Sequence, residues 1–241
     1  MSGSANIALV PVDGDLDVTS VASLRRTLDT LIEGGSRRIV LNCASTSYMD
    51  SSGIGLVVSA VRRMSERGGL LSLINVSPEV MRALRVARLV DFISVSEAGE
   101  RPSVPALDPS ELPLWRTVLR IEPKRLAETR HHVQDLIDRM PFSNDEAFDL
   151  ELAVGEAMSN AVDHASGCSL VEVACYRDRA IVEVSDCGPG FKPDRAATLP
   201  RGALAERGRG IALMRLLVDG VTITQKPSGT GTLVKIVKLI H

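Results

Sequence analysis

Several residues are of types, and at spacings, that can do chemistry. In the stretch LAVGEAMSNAVDHA, Glu156, Asn160 and His164 recur every fourth residue, which stacks them along one face of a helix. A carboxylate one turn from a carboxamide can hold a hydrated Mg²⁺ through oxygen donors while the acid collects a proton. Further on, IVEVSD runs into DCGPGF, so Asp186 falls where a strand emerges, and Gly188 and Gly190 permit close backbone approach to a flat ligand. In ERGRGIALM, Gly208 and Gly210 stand at a helix entry whose free N–H groups can receive phosphate, with Arg207 beside them for charge. In the first half, YMDSSGIG (residues 48–55) offers Asp50 and Ser51 as helix caps and Gly53 to relieve crowding. Each feature alone has an ordinary structural explanation: a solvated polar stripe, a turn, a glycine-containing helix start. His164 is read as structural.

The elements that must position these residues follow from periodicity. Residues 7–12 read as a buried strand, and Asp13-Gly14-Asp15 as a turn. Apolar residues from Val18 to Ile32 keep helical spacing and stop at Gly34-Gly35. A strand over 38–41, a helix over 52–66, a strand over 70–74, a helix from Pro78 to about Ala87 and a short strand over 92–95 complete an α/β sandwich. From Glu97 to Pro113 the chain carries four prolines, which marks a linker. The expected organisation is residues 1–97, a linker over 98–113, and a second domain over 114–241. That second half reads as a strand over 115–121, a helix from Pro123, a helix over 145–165, and strands over 170–176 and 180–185. A glycine-, proline- and arginine-rich loop, a helix over 211–217 and strands over 221–225 and 232–239 follow. The sum is a helix layer on a mixed, mostly antiparallel sheet.

Composition narrows the function. The 241 residues hold enough apolar chain for two cores without metal or disulfide support. A net charge of −2 and 3% aromatics argue against nucleic-acid binding, which needs a basic face and stacking partners. No run of 18 apolar residues exists to span a membrane, and the N-terminus has no basic, signal-like segment. Cys43, Cys168, Cys175 and Cys187 form no C-x-x-C pair and fit reduced thiols, so a cytoplasmic location is expected.

The ordered set in residues 114–240 (ExxxN on a helix, D-x-G-x-G after a strand, a loop, G-x-G before a helix, GTLV in the last strand) resembles the N, G1 and G2 boxes of the GHKL ATPase superfamily. LAVGEAMSNAVDHA and ERGRGIALMRLLVD look most like its anti-sigma-factor serine kinase branch. The resemblance implies ATP and Mg as cofactors, with Asn160 ligating the metal and Asp186 receiving the adenine amino group. It further implies that Gly188 and Gly190 line the base, Gly208 and Gly210 hold phosphates, and Thr232 lies near the adenine. Glu156 becomes the general base, Arg207 a neighbour of the γ-phosphate, and residues 191–207 the ATP lid. SYMDSSGIGLVV, with GDLDVTS and LINVSPEVMRALRVARLVDFISV, resembles the STAS domain of anti-sigma-factor antagonists over residues 5–97. That resemblance makes Ser52 the phosphorylated serine, with Asp17 and Asp50 beside it.

Together the halves imply a partner-switching unit: a Mg·ATP-dependent serine kinase acting on Ser52, in its own chain or a partner's. A phosphate at Ser52 would meet the positive end of a helix dipole, so it should repel a docked partner rather than unfold its own domain. The implied partners are a sigma factor or a separate STAS or anti-sigma protein, a PP2C-type phosphatase, and a second copy through the kinase half. A linker of about 15 residues has a flexible reach near 20 Å and gives effective concentrations of roughly millimolar. The alternatives are a non-catalytic ATP-gated binding module and an ATP-hydrolysing GHKL motor. A histidine kinase using His131 or His132 is disfavoured, because no second dimerisation helix separates them from the ATP domain.

Overall fold

A computed structural model describes residues 7–97, 104–164, 168–189, 206–226 and 230–240. The chain divides into two compact units, Met1–Glu100 and Arg101–His241.

In the first unit four strands, β1 (Ile7–Pro11), β2 (Arg38–Asn42), β3 (Leu70–Val76) and β4 (Val95–Glu97), pair in that order, all parallel. Parallel neighbours need crossovers, and the crossovers are α1 (Val21–Glu33), α2 (Ser51–Ser65) and α3 (Pro78–Val86). Helix α1 buries Val21, Leu24, Leu28 and Ile32, one stripe at helical spacing. These pack in one core with Ile39 and Leu41 of β2, Leu71 and Leu73 of β3, and Val57, Ala60 and Met64 of α2. Each such valine, leucine, isoleucine or methionine side chain contributes about 1.5–3 kcal/mol by leaving water. The last strand starts later than its sequence suggests. Phe92 is exposed and follows a short 3-10 turn over Leu89–Asp91, and pairing begins only where β3 offers Leu73 to Val95.

In the second unit five strands lie in the order β5 (Trp115–Ile121), β6 (Ser169–Cys175), β7 (Arg179–Ser185), β9 (Thr232–Leu239), β8 (Gly220–Gln225). Every pairing is antiparallel, so the mixed character expected from sequence is absent among the described strands. Helices α4 (Leu126–Ile137), α5 (Asn144–His164) and α6 (Glu206–Leu217) accompany the sheet. Helix α5 starts with a capping box. Ser143 Oγ accepts from Glu146 N at 3.3 Å, and the Glu146 carboxylate accepts from Ser143 N at 2.9 Å. Its buried stripe, Ala147, Leu150, Val154, Ala157 and Ala161, is small enough to seat the helix against β7 and β9.

Part of the stretch expected to be linker is bound to this unit. Arg179 donates to the Pro105 carbonyl, Val104 lies against Gly220, and Leu114 N donates to the Cys175 carbonyl at 2.8 Å. Only seven steps then separate Glu97 from Val104. That is about 25 Å at full extension.

Candidate functional site

The site of the second unit is built by α5, the end of β7, the start of β9 and the start of α6. The carboxylate of Glu156 lies over the backbone of Gly210. A Cβ at position 210 would stand 2.1 Å from Glu156 Oε1, so a side chain there would push the acid aside. Burial pushes the Glu156 carboxyl above its ordinary value, against the opposing pull of the Arg130 guanidinium and a hydrogen bond from Asn160. Arg130 itself reaches α5 from α4, bonding Ser159 Oγ and the Gly155 carbonyl. Motif spacing does not single out Arg130, because it comes from a different helix; its basic charge in an otherwise amphipathic pattern is the only signal.

Asp186 sits just beyond β7, 7% exposed. Its Oδ1 accepts from Gly188 N at 2.8 Å and Thr232 N at 3.1 Å, and its own amide donates to the Thr232 carbonyl at 3.0 Å. Gly231, at φ +88°, donates to the Gly188 carbonyl at 2.8 Å and passes so close that a Cβ would stand 2.2 Å from the Asp186 carbonyl oxygen. The geometry brings together two sets of the sequence candidates: Glu156 with Asn160 and Gly210, and Asp186 with Gly188 and Thr232. Gly231 joins the second set, and the GT of GTLV was its signal in sequence.

Gly190 and most of the expected lid, residues 191–205, lie outside the described residues. The last two lid positions, Glu206 and Arg207, begin α6, so Gly208 falls in its first turn. Glycine disfavours helix by about 1 kcal/mol relative to alanine, which hid this start; packing of α6 on α5 outweighs it. His164 is the last residue of α5.

The donors present suit a magnesium nucleotide. Asn160 offers a hard oxygen donor of the kind magnesium takes, and Glu156 a carboxylate beside it. Asp186 is a buried acceptor whose carboxylate has lone pairs beyond the two amides it caps, so it can take an amino group. The start of α6 at Glu206 is a helix N-terminus, an element whose backbone N–H groups suit phosphate.

In the first unit, Asp50 caps α2, with Oδ1 accepting from Ser52 N at 2.7 Å and Gly53 N at 3.0 Å. Ser52 is therefore in the first turn, half-buried, and Ser51 is exposed. The turn leading to α1 is braced against this point. Leu16 N donates to the Tyr48 carbonyl and Asp50 N to the Leu16 carbonyl, both at 3.0 Å. Asp17 Oδ1 gathers the amides of Thr19 (2.8 Å) and Ser20 (3.0 Å), and Thr19 Oγ1. Asp15, which the motif reading did not pick, holds Ser47 and Tyr48 through their amides at 2.9 and 2.8 Å. Hydrogen bonds to Ser47 and Thr19 hold the Asp15 and Asp17 carboxyls, respectively, below the usual range.

Gly53 is the tightest point. A Cβ there would stand 2.7 Å from the Leu16 carbonyl oxygen and 2.8 Å from Met49 Cγ. Gly53→Ala should displace the start of α2 and cost about 1–3 kcal/mol. Thermal unfolding followed by circular dichroism should show the first unit melting several degrees lower. An unchanged transition would mean that the Leu16 turn yields freely.

Fold and site thus define a two-domain chain: a parallel α/β unit presenting a capped serine, and an antiparallel α/β unit with a nucleotide-type site. Residues 1–100 match the STAS domain family and residues 119–238 the histidine kinase-like ATPase domain family. The anti-sigma-B factor antagonist of Staphylococcus aureus is 34% identical over 91 residues, 38% of this chain and 84% of that protein. The namesake from Staphylococcus epidermidis is 33% identical over 91 residues, with the same shares of the two chains. Among solved structures, the anti-sigma factor antagonist SpoIIAA in its unphosphorylated form is 28% identical, covering 42% of this chain and 86% of that one, with TM-score 0.33. The histidine kinase domain of the E. coli osmosensor EnvZ is 16% identical, covering 56% of this chain and 93% of that one, with TM-score 0.32. The chain belongs to the STAS family of anti-sigma factor antagonists through its first hundred residues, and carries a histidine kinase-like ATPase domain behind it. No helix among the described residues is long and apolar enough to cross a membrane.

Proposed function

We propose that the protein is a cytoplasmic partner-switching regulator whose ATPase domain is a Mg·ATP-dependent serine kinase, with Ser52 of a STAS domain as phosphoacceptor. The observation that carries this reading is the half-buried Glu156 carboxylate against Gly210, at the helix entry suited to phosphate. In the proposed reaction Glu156 takes the proton from the Ser52 hydroxyl. Its oxygen attacks the γ-phosphorus, and ADP leaves with the electrons of the broken P–O bond. Asn160 would hold the magnesium, which supplies charge neutralisation on the phosphates; alignment and charge are most of what phosphoryl transfer needs. Asp186 and Thr232 would fix the adenine, with Gly188 and Gly190 against its face. Gly208 and Gly210 would receive phosphate, and Arg207 would add charge near the γ-phosphate.

Asp50 already occupies the Ser52 and Gly53 amides, so a phosphate on Ser52 adds negative charge beside a carboxylate. Its effect falls on whatever docks there. The name of the relatives, anti-sigma-B factor antagonist, supports an anti-sigma factor as the docked partner. A phosphatase of the PP2C type would reset the serine, and the kinase halves would pair as a homodimer.

Incubation with Mg·ATP followed by peptide mass spectrometry tests this. One phosphate should appear on Ser52, on the chain itself or on an added STAS domain, and none on Ser52→Ala. ATP binding without transfer to either substrate would reject the kinase and leave an ATP-gated binding module.

A further inference from the structure

The four cysteines divide by environment. Cys43 and Cys175 are buried, and burial pushes the Cys43 thiol up to about 11. Thiols so placed are poor nucleophiles. Cys168 and Cys187 are exposed, and they are joined as a disulfide with Cα atoms 5.7 Å apart, which corrects the expectation of four reduced thiols.

The bond has a defined place in the fold. Strands β6 and β7 pair antiparallel, with Leu170 opposite Ser185 as the last rung. Continuing that register two positions puts Cys168 directly opposite Cys187, and 5.7 Å is close to the spacing of a directly opposed antiparallel pair. The two thiols are therefore brought face to face by the ladder itself. Because side chains alternate along a strand, Cys187 faces outward with the half-exposed Ser185 and Glu183, while the intervening Asp186 turns inward and is buried. The disulfide thus lies on the outer face of the sheet, clear of the nucleotide-type site. It adds a covalent rung at the residue that flanks Asp186. Its other end follows α5, the helix of Glu156 and Asn160, and Ser169 Oγ donates back to the Ala161 carbonyl of that helix at 3.3 Å.

We propose that Cys168 and Cys187 are a redox-responsive dithiol that clamps the Asp186 loop, so that oxidation preorganises the adenine end of the site and reduction releases it. The linkage to nucleotide rests on the ATP-binding reading above. A peroxide is the oxidant. One thiolate attacks the O–O bond and becomes a sulfenic acid as one water leaves. The second thiolate attacks that sulfur and releases another water. Two thiols and one peroxide thus give one disulfide and two waters when the peroxide is H₂O₂. A dithiol donor reverses the change by exchange. In a reducing compartment a disulfide of this kind is transient and regulatory rather than structural.

The full chain should be treated with hydrogen peroxide or with dithiothreitol, then compared by peptide mapping, amide hydrogen exchange and binding of a fluorescent ATP analogue. Peroxide should yield a peptide cross-linked through Cys168 and Cys187. It should also slow exchange at Gly188 and Thr232, whose amides Asp186 caps, by about tenfold or more. Nucleotide should bind about three- to tenfold tighter to the oxidised form. Cys168→Ser and Cys187→Ser should each behave as the reduced wild type in both states. Absence of the cross-link, or a cross-link that leaves exchange at Gly188 and Thr232 unchanged, overturns the clamp. Slowed exchange with no nucleotide bound in either state upholds the clamp and rejects the ATP-binding reading instead.

Discussion

Glu156→Gln should slow phosphate transfer to Ser52 by about 10²–10⁴ while leaving ATP bound. The glutamine keeps the size of the side chain over Gly210 and its ability to bond Asn160, and loses only the capacity to accept a proton. A positioned general base contributes about 10²–10⁴ in rate, so single-turnover transfer followed by mass spectrometry should fall by that range. The pH dependence carries the same signature. Burial raises the Glu156 carboxyl, so the base is protonated and idle below that raised value. The rate should climb with pH through an apparent pKa above 4.5, the ordinary glutamate value. The Arg130 guanidinium pulls in the opposite direction, so Arg130→Ala should move this acid limb to still higher pH. A carboxyl with a raised pKa in the fold is one whose charged form is costly there, and that cost grows as pH rises through the pKa. Glu156→Gln should then hold or raise the melting temperature at neutral pH. A variant that loses transfer and stability together would point to a structural acid.

The second large effect is expected at Asp186. Asp186→Asn can keep its carbonyl oxygen on the amides of Gly188 and Thr232, so the loop around Gly231 should survive. Its NH₂ group then faces the site, and two donors meet where an acceptor is needed for an adenine amino group. Removing a hydrogen bond to a charged group and leaving the donor unpaired costs about 1.5–3 kcal/mol. This is roughly 10- to 150-fold in Kd. Calorimetric titration with ATP and with GTP should show the loss for ATP and no loss for GTP, whose carbonyl oxygen at that ring position can accept from the new NH₂ group. Asp186→Ala should do more, because it also orphans the two amides that the carboxylate caps. Equal affinity of wild type and Asp186→Asn for ATP would mean that the base lies elsewhere.

Much of the architecture is visible in local pattern. The strands over Trp115–Ile121 and Thr232–Leu239 have the bounds that alternation and breakers suggest, because hydrophobic period and glycine or proline punctuation are properties of neighbouring residues. Asp50 as cap is equally local, since a cap needs only an acceptor two or three residues before the amides it serves, whereas the crowding that calls for glycine at position 53 comes from Leu16 across the fold. The motif order likewise carried the class of the second domain, because ligand chemistry constrains residue type as well as fold.

What neighbouring residues cannot encode came from tertiary contact. The start of α6 is hidden by the low helix propensity of Gly208 and Gly210, and at Gly210 the carboxylate of Glu156 from another helix fills the space a side chain would take. Arg130 reaches the Gly155 carbonyl of α5 across the α4–α5 packing, and Asp15 holds Ser47 and Tyr48 over a separation of more than thirty residues. The run from Val104 to Pro113 is proline-rich and reads as linker, yet Arg179 captures its Pro105 carbonyl, and the Cys175 carbonyl holds the Leu114 amide that follows it. The disulfide belongs to the same kind. No spacing rule pairs cysteines nineteen residues apart, but an antiparallel ladder sets them opposite one another. Sequence alone determined which chemistry each segment can do; the sheet register and the helix packing decided which of those segments meet.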